Sequence, residues 1–288
     1  MSAAAGLPFI SVLVPFRNEE RYIAACAESL LGQRYPSQRY EIFFVDNNSS
    51  DASAEIVRSQ PRIRLLQETR PGPYAARNRG LRQAQGQLFA FTDADCLVGP
   101  DWLQEIAAGM AGPTVQILMG SNSFGRPSFL LNMIGVYEAE KKRYIFHGHL
   151  GEAYHGQCNN MAVRGPLLEE LGGFVERQRG ADTILVHRCL VRHGSQAIAY
   201  RPTMHVQHLE VDSLAVYYRK CAIYRRSRRA YHHLIAVRGL TNGERSAVFR
   251  NAVRAGGYSL PEALLLFALL AGGLAWSSVR SRLPERVF

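Results

Sequence analysis

The chain has 288 residues, 47% of them hydrophobic and 20% charged, with a formal net charge of +10. That composition supplies a full core and excludes a disordered or fibrous chain, while the length allows one large α/β domain with additions or two smaller ones. Five scattered cysteines (Cys26, Cys96, Cys158, Cys189, Cys221), odd in number and without a Cys-x-x-Cys pair, argue against a disulfide framework or a zinc site and fit a reducing compartment.

Residues 9–15 are an apolar, β-branched run and read as the first strand; Phe16-Arg17-Asn18-Glu19-Glu20 and a helical pattern through Leu31 follow. A second strand, 41–46, ends at Asp46 ahead of the turn Asn47-Asn48-Ser49-Ser50-Asp51. Residues 63–66 read as a third strand, and Gly72-Pro73-Tyr74-Ala75-Ala76-Arg77-Asn78-Arg79-Gly80 opens a helix. That helix leads to a fourth strand, 88–92, which runs into Asp93-Ala94-Asp95. Strands alternating with helices, each apolar enough to be covered on both faces, predict a parallel α/β sheet. Such sheets bind ligands beyond the carboxyl ends of their strands. Asn18, Asp46 and Asp95 all fall at that end, so three polar clusters converge on one crevice. Two carboxylates flanking one small residue can present oxygens to Mg²⁺ or Mn²⁺, which would also hold a diphosphate. Turn chemistry is the plainer use of Asp-x-Asp, and Cys96 beside the pair reads as a small buried residue.

Residues 121–154 yield no assignment by pattern; the histidines at 147, 149 and 155 read as loop residues without a metal role. A short helix is expected over 165–172, with Pro166 early and glycines at its end. Asp182 stands at or near the N-cap of a further helix that Gly194 terminates, a sufficient structural role for an aspartate.

Charge is uneven: residues 201–288 hold 14 Lys+Arg against 5 Asp+Glu, nearly the whole positive excess. Residues 213–237 read as a helix with an apolar stripe and a surface bearing Arg219, Lys220, Arg225, Arg226, Arg228 and Arg229. Residues 263–279 are 17 in a row without a charge, about 26 Å as a helix against a hydrocarbon core of about 30 Å. Arg280, Arg282 and Arg286 follow. Three readings compete for this run: a packed helix, a single span, or a helix lying in the membrane interface. Gly272-Gly273 weakens the first, since two glycines cost about 2 kcal/mol relative to alanine. No nucleic-acid module is present, so anionic lipid is the expected partner for the charge, with nucleic acid excluded. The first ten residues lack the charged start and apolar core of a signal peptide. The expected location is therefore the cytoplasmic side of the cell membrane, peripheral or held by one C-terminal anchor.

The set VPFRNEE, VDNNSSD, GPYAARNRG and TDADC, in this order and spacing, resembles an inverting glycosyltransferase of family 2 with the GT-A fold. The resemblance covers residues 8–210. It implies a Rossmann-like, mainly parallel sheet with flanking helices, and leaves a C-terminal basic and apolar helical extension over 211–288. Within the 1–210 domain it assigns nucleotide-sugar binding to roughly 8–120 and acceptor binding and catalysis to roughly 121–210. Asp46 and Arg77 would then hold the nucleotide base, with Pro15, Arg17 and Asn18 lining the same pocket. Asp95, helped by Asp93 and His208, would hold the cation. His208 lies in a segment similar to the family's strand that returns to the metal; a packed, hydrogen-bonded core histidine is an equal reading, and His205 fits less well. Gly156-Gln157-Cys158-Asn159-Asn160 resembles the loop that closes over the donor sugar. Asp182 matches the family's catalytic base, although Ala181 stands where many relatives have glutamate. The implied reaction transfers a sugar from a UDP- or GDP-sugar to a hydroxyl acceptor, with inversion. A lipid-linked acceptor in cell-envelope glycoconjugate synthesis suits the C-terminal region. Two other classes share parts of this pattern: a GT-A-like nucleotidyltransferase, whose glycine-rich loop after the first strand is missing, and a non-catalytic, membrane-docked scaffold.

Overall fold

A computed structural model describes residues 6–281 apart from 127 and 232; Arg282 and Arg286 lie outside the described residues. In chain order the elements are β1 (Ile10–Phe16), α1 (Ile23–Leu31), β2 (Tyr40–Asp46), α2 (Ser53–Arg58), β3 (Arg64–Gln67), α3 (Pro73–Leu81), β4 (Leu88–Phe91), β5 (Cys96–Val98) and α4 (Trp102–Gly109). There follow β6 (Ile117–Phe124), α5 (Phe129–His147), β7 (Met161–Arg164), α6 (Gly165–Leu171), α7 (Ala181–His193), β8 (Ile198–His208), α8 (Leu214–Tyr231), α9 (Asn242–Gly256) and α10 (Leu260–Arg280). The chain divides into two compact units, Met1–Ser123 with His155–His208, and Phe124–Tyr154 with Leu209–Phe288.

The first unit is built on a mixed sheet in the order β3-β2-β1-β4-β7-β6-β8-β5. Its β3-β2-β1-β4 part is parallel, while β7 joins β4 antiparallel, β6 joins β7 antiparallel and β5 joins β8 antiparallel. Every residue of β1 is buried, as expected of a central strand covered on both faces. The edge strand β3 instead exposes Arg64 and Gln67. Helix boundaries follow local chemistry. Pro73 occupies the first turn of α3 behind Gly72, whose φ of 126° suits glycine. Gly172 closes α6 in the left-handed region.

The second unit is helical. Its buried cluster contains Met133 from α5, Ala252 from α9 and Leu266 from α10. Segment 124–154, grouped in the sequence reading with residues 1–210, belongs to this unit because α5 buries its apolar side here. Helix α9 had no sequence assignment, yet its start is a full capping box between Thr241 and Glu244. A second capping box, Ser259 with Glu262, starts α10 one turn before the uncharged run and gives it 21 residues. That length is about 31 Å at ~1.5 Å per residue.

Candidate active site

The loops after β1 and β2 are stitched together. Asn18 adopts a left-handed conformation with φ of 57°. Its amide donates to Ser49 Oγ at 3.1 Å, and its Oδ1 accepts from the Ser50 amide at 2.8 Å. The Asp46 carboxylate, buried at the end of β2, accepts from the Ser49 amide at 2.9 Å. Pro15 is buried in β1, and Arg17 beside it is exposed.

Asn47 was not singled out in the sequence. Its buried amide donates to the Glu68 and Arg70 carbonyls at 2.8 Å each and accepts from the Gly72 amide at 2.7 Å. One side chain thus ties the end of β2 to the segment between β3 and α3. The available signal was an asparagine directly after a strand-ending aspartate, a common turn pairing.

Helix α3 carries the next group. Asn78 clamps Phe174 in both directions, donating to its carbonyl at 2.8 Å and accepting from its amide at 3.0 Å. Tyr74 packs on the Phe174 ring at 5.5 Å, and the Arg77 guanidinium lies 5.2 Å from the Tyr74 ring centre. Arg77 is only 3% exposed and pairs through Nη2 with Asp93, while its Nε, also buried, has no hydrogen-bond partner among the described residues. The structure therefore bonds Arg77 to Asp93, the first acid of the pair.

Asp95 is separated from Asp93 by its partner. Antiparallel pairing of β5 with β8 puts Cys96 opposite His208. In consequence the His208 Nε2 comes 2.7 Å from Asp95 Oδ2. The Cys96 thiol donates to Asp95 Oδ1 at 3.4 Å. Burial and the nearby Asp95 and Asp93 charges push that thiol well above the usual cysteine range, so it stays protonated. His205, three residues earlier, turns its ring to Ser121 and Ser123 at 2.8 and 3.0 Å.

Among the described residues, Asp95, Cys96 and His208 form the one cluster with metal-ligand spacing. Asp93, expected beside them, lies outside this cluster and pairs through Oδ1 with Arg77. The Asp95 and His208 donor atoms fit a six-coordinate divalent cation, since adjacent ligands at about 2.1 Å from Mg²⁺ lie about 3 Å apart.

Asp182 lies in the first turn of α7, just inside the Gly180 N-cap, where its carboxylate also satisfies a first-turn amide. Oδ1 accepts from the Thr183 amide at 2.8 Å and Oδ2 from the Cys158 amide at 3.4 Å. The Tyr74 hydroxyl faces the same carboxylate as a donor that favours its ionised form. Burial pushes the Asp182 carboxyl above its ordinary value, and these donors together with the Arg77 charge oppose the shift. Arg77 thus stands between two acids, bonded to Asp93 and electrostatically coupled to Asp182. A methyl at Gly156 would overlap the Asp182 carbonyl, so the 156–158 loop hugs this residue closely.

An acidic group at the strand ends, closed by a histidine from a returning antiparallel strand, is accompanied by a family-model match to "Glycosyl transferase family 2" over residues 11–162. The chain belongs to glycosyl transferase family 2. Glycosyltransferase AglE of Haloferax volcanii is 31% identical over 177 residues, covering 58% of this chain and 56% of that protein. The beta-monoglucosyldiacylglycerol synthase of Trichormus variabilis is 36% identical over 197 residues, covering 63% of this chain and 41% of that protein. The chain thus spans about half the length of these family 2 relatives. A solved mannosyltransferase from Pyrobaculum calidifontis, in complex with GDP-Man and Mn²⁺, superposes with a TM-score of 0.60 at 23% identity, covering 96% of this chain and 85% of that one. S. aureus TarS 1-349 in complex with UDP-GlcNAc superposes with a TM-score of 0.54 at 18% identity, covering 95% and 90%. These superpositions establish the GT-A-like fold.

Proposed function

We propose that this chain is a metal-dependent, inverting glycosyltransferase that moves a sugar from a nucleotide-sugar donor to a hydroxyl acceptor of a cell-envelope glycoconjugate. The observation that carries this reading is the Asp95–His208 pair at the strand ends, with Asp182 separately set on α7 and linked to the acidic pair through Arg77. Displacement with inversion needs charge compensation at the leaving diphosphate and a base for the incoming hydroxyl. Asp95 and His208 would hold the cation, with the imidazole favouring a first-row ion such as Mn²⁺ over Mg²⁺. When bound, that cation neutralises charge developing on the diphosphate.

Asp182 takes the acceptor proton on its carboxylate, where the Thr183 and Cys158 amides, the Tyr74 hydroxyl and the Arg77 charge favour the ionised form against the burial that pushes its pKa up. Arg77 holds Asp93 in place, and the buried Asp46 with the stitched 16–20 and 46–51 loops forms the nucleotide pocket, where Pro15, Arg17 and Asn18 lie. The donor is a UDP- or GDP-sugar, in keeping with the GDP-Man and UDP-GlcNAc complexes of the similar folds. A lipid acceptor is supported by the diacylglycerol glycolipid synthase among the relatives. The partner surface is anionic lipid on the cytoplasmic side. Nucleotidyl transfer has no supporting feature, because the segment after β1 carries no glycine.

The test is turnover with a panel of UDP- and GDP-sugars and membrane lipid extracts, with and without EDTA, and NMR of the product anomer. Release of free nucleoside diphosphate and a product of inverted configuration are expected, both dependent on the cation. Full activity in excess EDTA, or a retained configuration, would overturn the reading.

A further inference from the structure

The second unit leaves one side of α10 open in an unusual way. Every exposed residue from Leu260 to Val279 is apolar, with no hydroxyl, amide or charge among them. Leu264, Phe267 and Trp276 are 63%, 61% and 42% exposed. On a helix turning about 100° per residue these positions cover more than half the circumference. A soluble surface helix carries polar residues over that arc.

The opposite side is firmly committed. Leu266, Gly273 and Ser277 are buried along one stripe. Leu266 packs in the cluster with Met133 and Ala252. The Tyr218 ring of α8 rests on Gly273, where an added Cβ would come within 2.5 Å of it, and its hydroxyl donates to the Leu269 carbonyl at 2.8 Å. Arg226 of α8 reaches the Arg280 carbonyl at 3.4 Å. A helix that spans alone must be apolar all round and leave these partners.

We propose that α10 is an in-plane lipid anchor: its apolar arc enters the interfacial zone of an anionic bilayer while its other face stays docked on α5, α8 and α9. Charge selects this occupant over a second copy of the chain. Residues 201–288 carry 14 basic against 5 acidic side chains, and Arg229, Arg250 and Arg254 are exposed. Pairing two such basic units is repulsive, whereas anionic headgroups complement them. The proposal rests on the membrane-surface reading above and deepens it by fixing how the chain is held.

Depth-resolved tryptophan quenching in the full chain tests it, using phosphatidylglycerol-containing vesicles with lipids brominated at shallow or deep acyl positions. The chain has two tryptophans. Trp102 is 1% exposed in the first unit and serves as an unquenched background. A second protein, Trp276→Phe with Leu264→Trp, moves the reporter 12 residues along the helix. An in-plane helix keeps both reporters, about 120° apart around its axis, within the interfacial zone, so both are quenched best by the shallow bromines. A span separates them by about 18 Å along the membrane normal, giving opposite depth profiles and overturning the proposal. The Leu264→Glu/Phe267→Glu variant should reduce vesicle partition at least about tenfold while donor hydrolysis in detergent is unchanged. Absence of quenching with normal donor hydrolysis sinks the anchor and leaves the catalytic reading intact; absence of hydrolysis in every condition sinks the catalytic reading instead. Doubling of the sedimentation mass without lipid, abolished by Phe267→Glu, would assign the face to a second copy.

Discussion

At the scale of single residues, the acids of the site are distinguished by their partners. Asp95 meets an imidazole and Asp93 a guanidinium, so the two acids are held by partners of different chemistry. Asp95→Ala is expected to remove most activity and also to lower the thermal midpoint of the first unit, because the carboxylate is buried and its loss leaves His208 and Cys96 without that partner. Calorimetry alongside turnover checks both halves of that statement. Asp182→Asn should keep donor binding and lower turnover about 10²-fold or more; near-normal turnover would make Asp182 a structural residue. Tyr74 offers a sharper test, since Tyr74→Phe removes one hydrogen-bond donor from a carboxylate that burial already pushes upward. The base must be ionised to act, so activity falls as pH drops through its pKa. Losing the donor raises that pKa further. The acid limb of the kcat/KM profile should therefore move to higher pH, with the high-pH plateau less affected. A uniform loss at all pH values would point to misplaced packing at Phe174.

At the scale of elements, the paired glycines of α10 separate two kinds of cost. Gly273 lies under the Tyr218 ring, whereas none of the described residues lies within 4 Å of a Cβ placed at Gly272. Gly272→Ala should stabilise the second unit by about 1 kcal/mol through helix propensity. Gly273→Ala should destabilise it by about 1–3 kcal/mol, because Tyr218 must give up its place and its bond to Leu269. Thermal unfolding of the two full-length variants should show shifts of opposite sign. The glycine pair is thus only half a weakness in this helix, and the sequence-level penalty does not count against packing on α8.

For the whole molecule, the positive charge and the apolar helix belong to one unit but respond differently to salt. Electrostatic attraction fades as the Debye length falls from about 10 Å at 0.1 M to about 3 Å at 1 M, while burial of apolar surface does not. Vesicle binding of the full chain should therefore weaken over that range and level off above zero. Leu264→Glu/Phe267→Glu should keep some binding at low salt and lose the salt-resistant part. Complete release of the unmodified chain at 1 M salt would leave the apolar face without a lipid role.

The sequence by itself determined the family and the alternation of strands and helices that underlies its fold. Runs such as residues 9–15 and 88–92 are local and periodic, and the motifs at their ends have short, fixed spacing. It also marked Asp95, His208 and Asp182 as residues worth following. Tertiary structure decided the pairings among them, because partners lie far apart in the chain: Asp95 with His208 across an antiparallel strand pair, Asp93 with Arg77, and Tyr74 with Asp182. The antiparallel half of the sheet had no local signature, since a strand's direction is set by the path of the chain between strands. Helix α5 was hidden for a related reason: its apolar residues face two sides, and only the contacts with α9 and α10 reveal which face is buried. The same holds for α10. Its composition alone left packed, spanning and interfacial readings open; one buried stripe against α8 with an apolar arc left exposed, which only the tertiary structure displays, is what the in-plane proposal rests on.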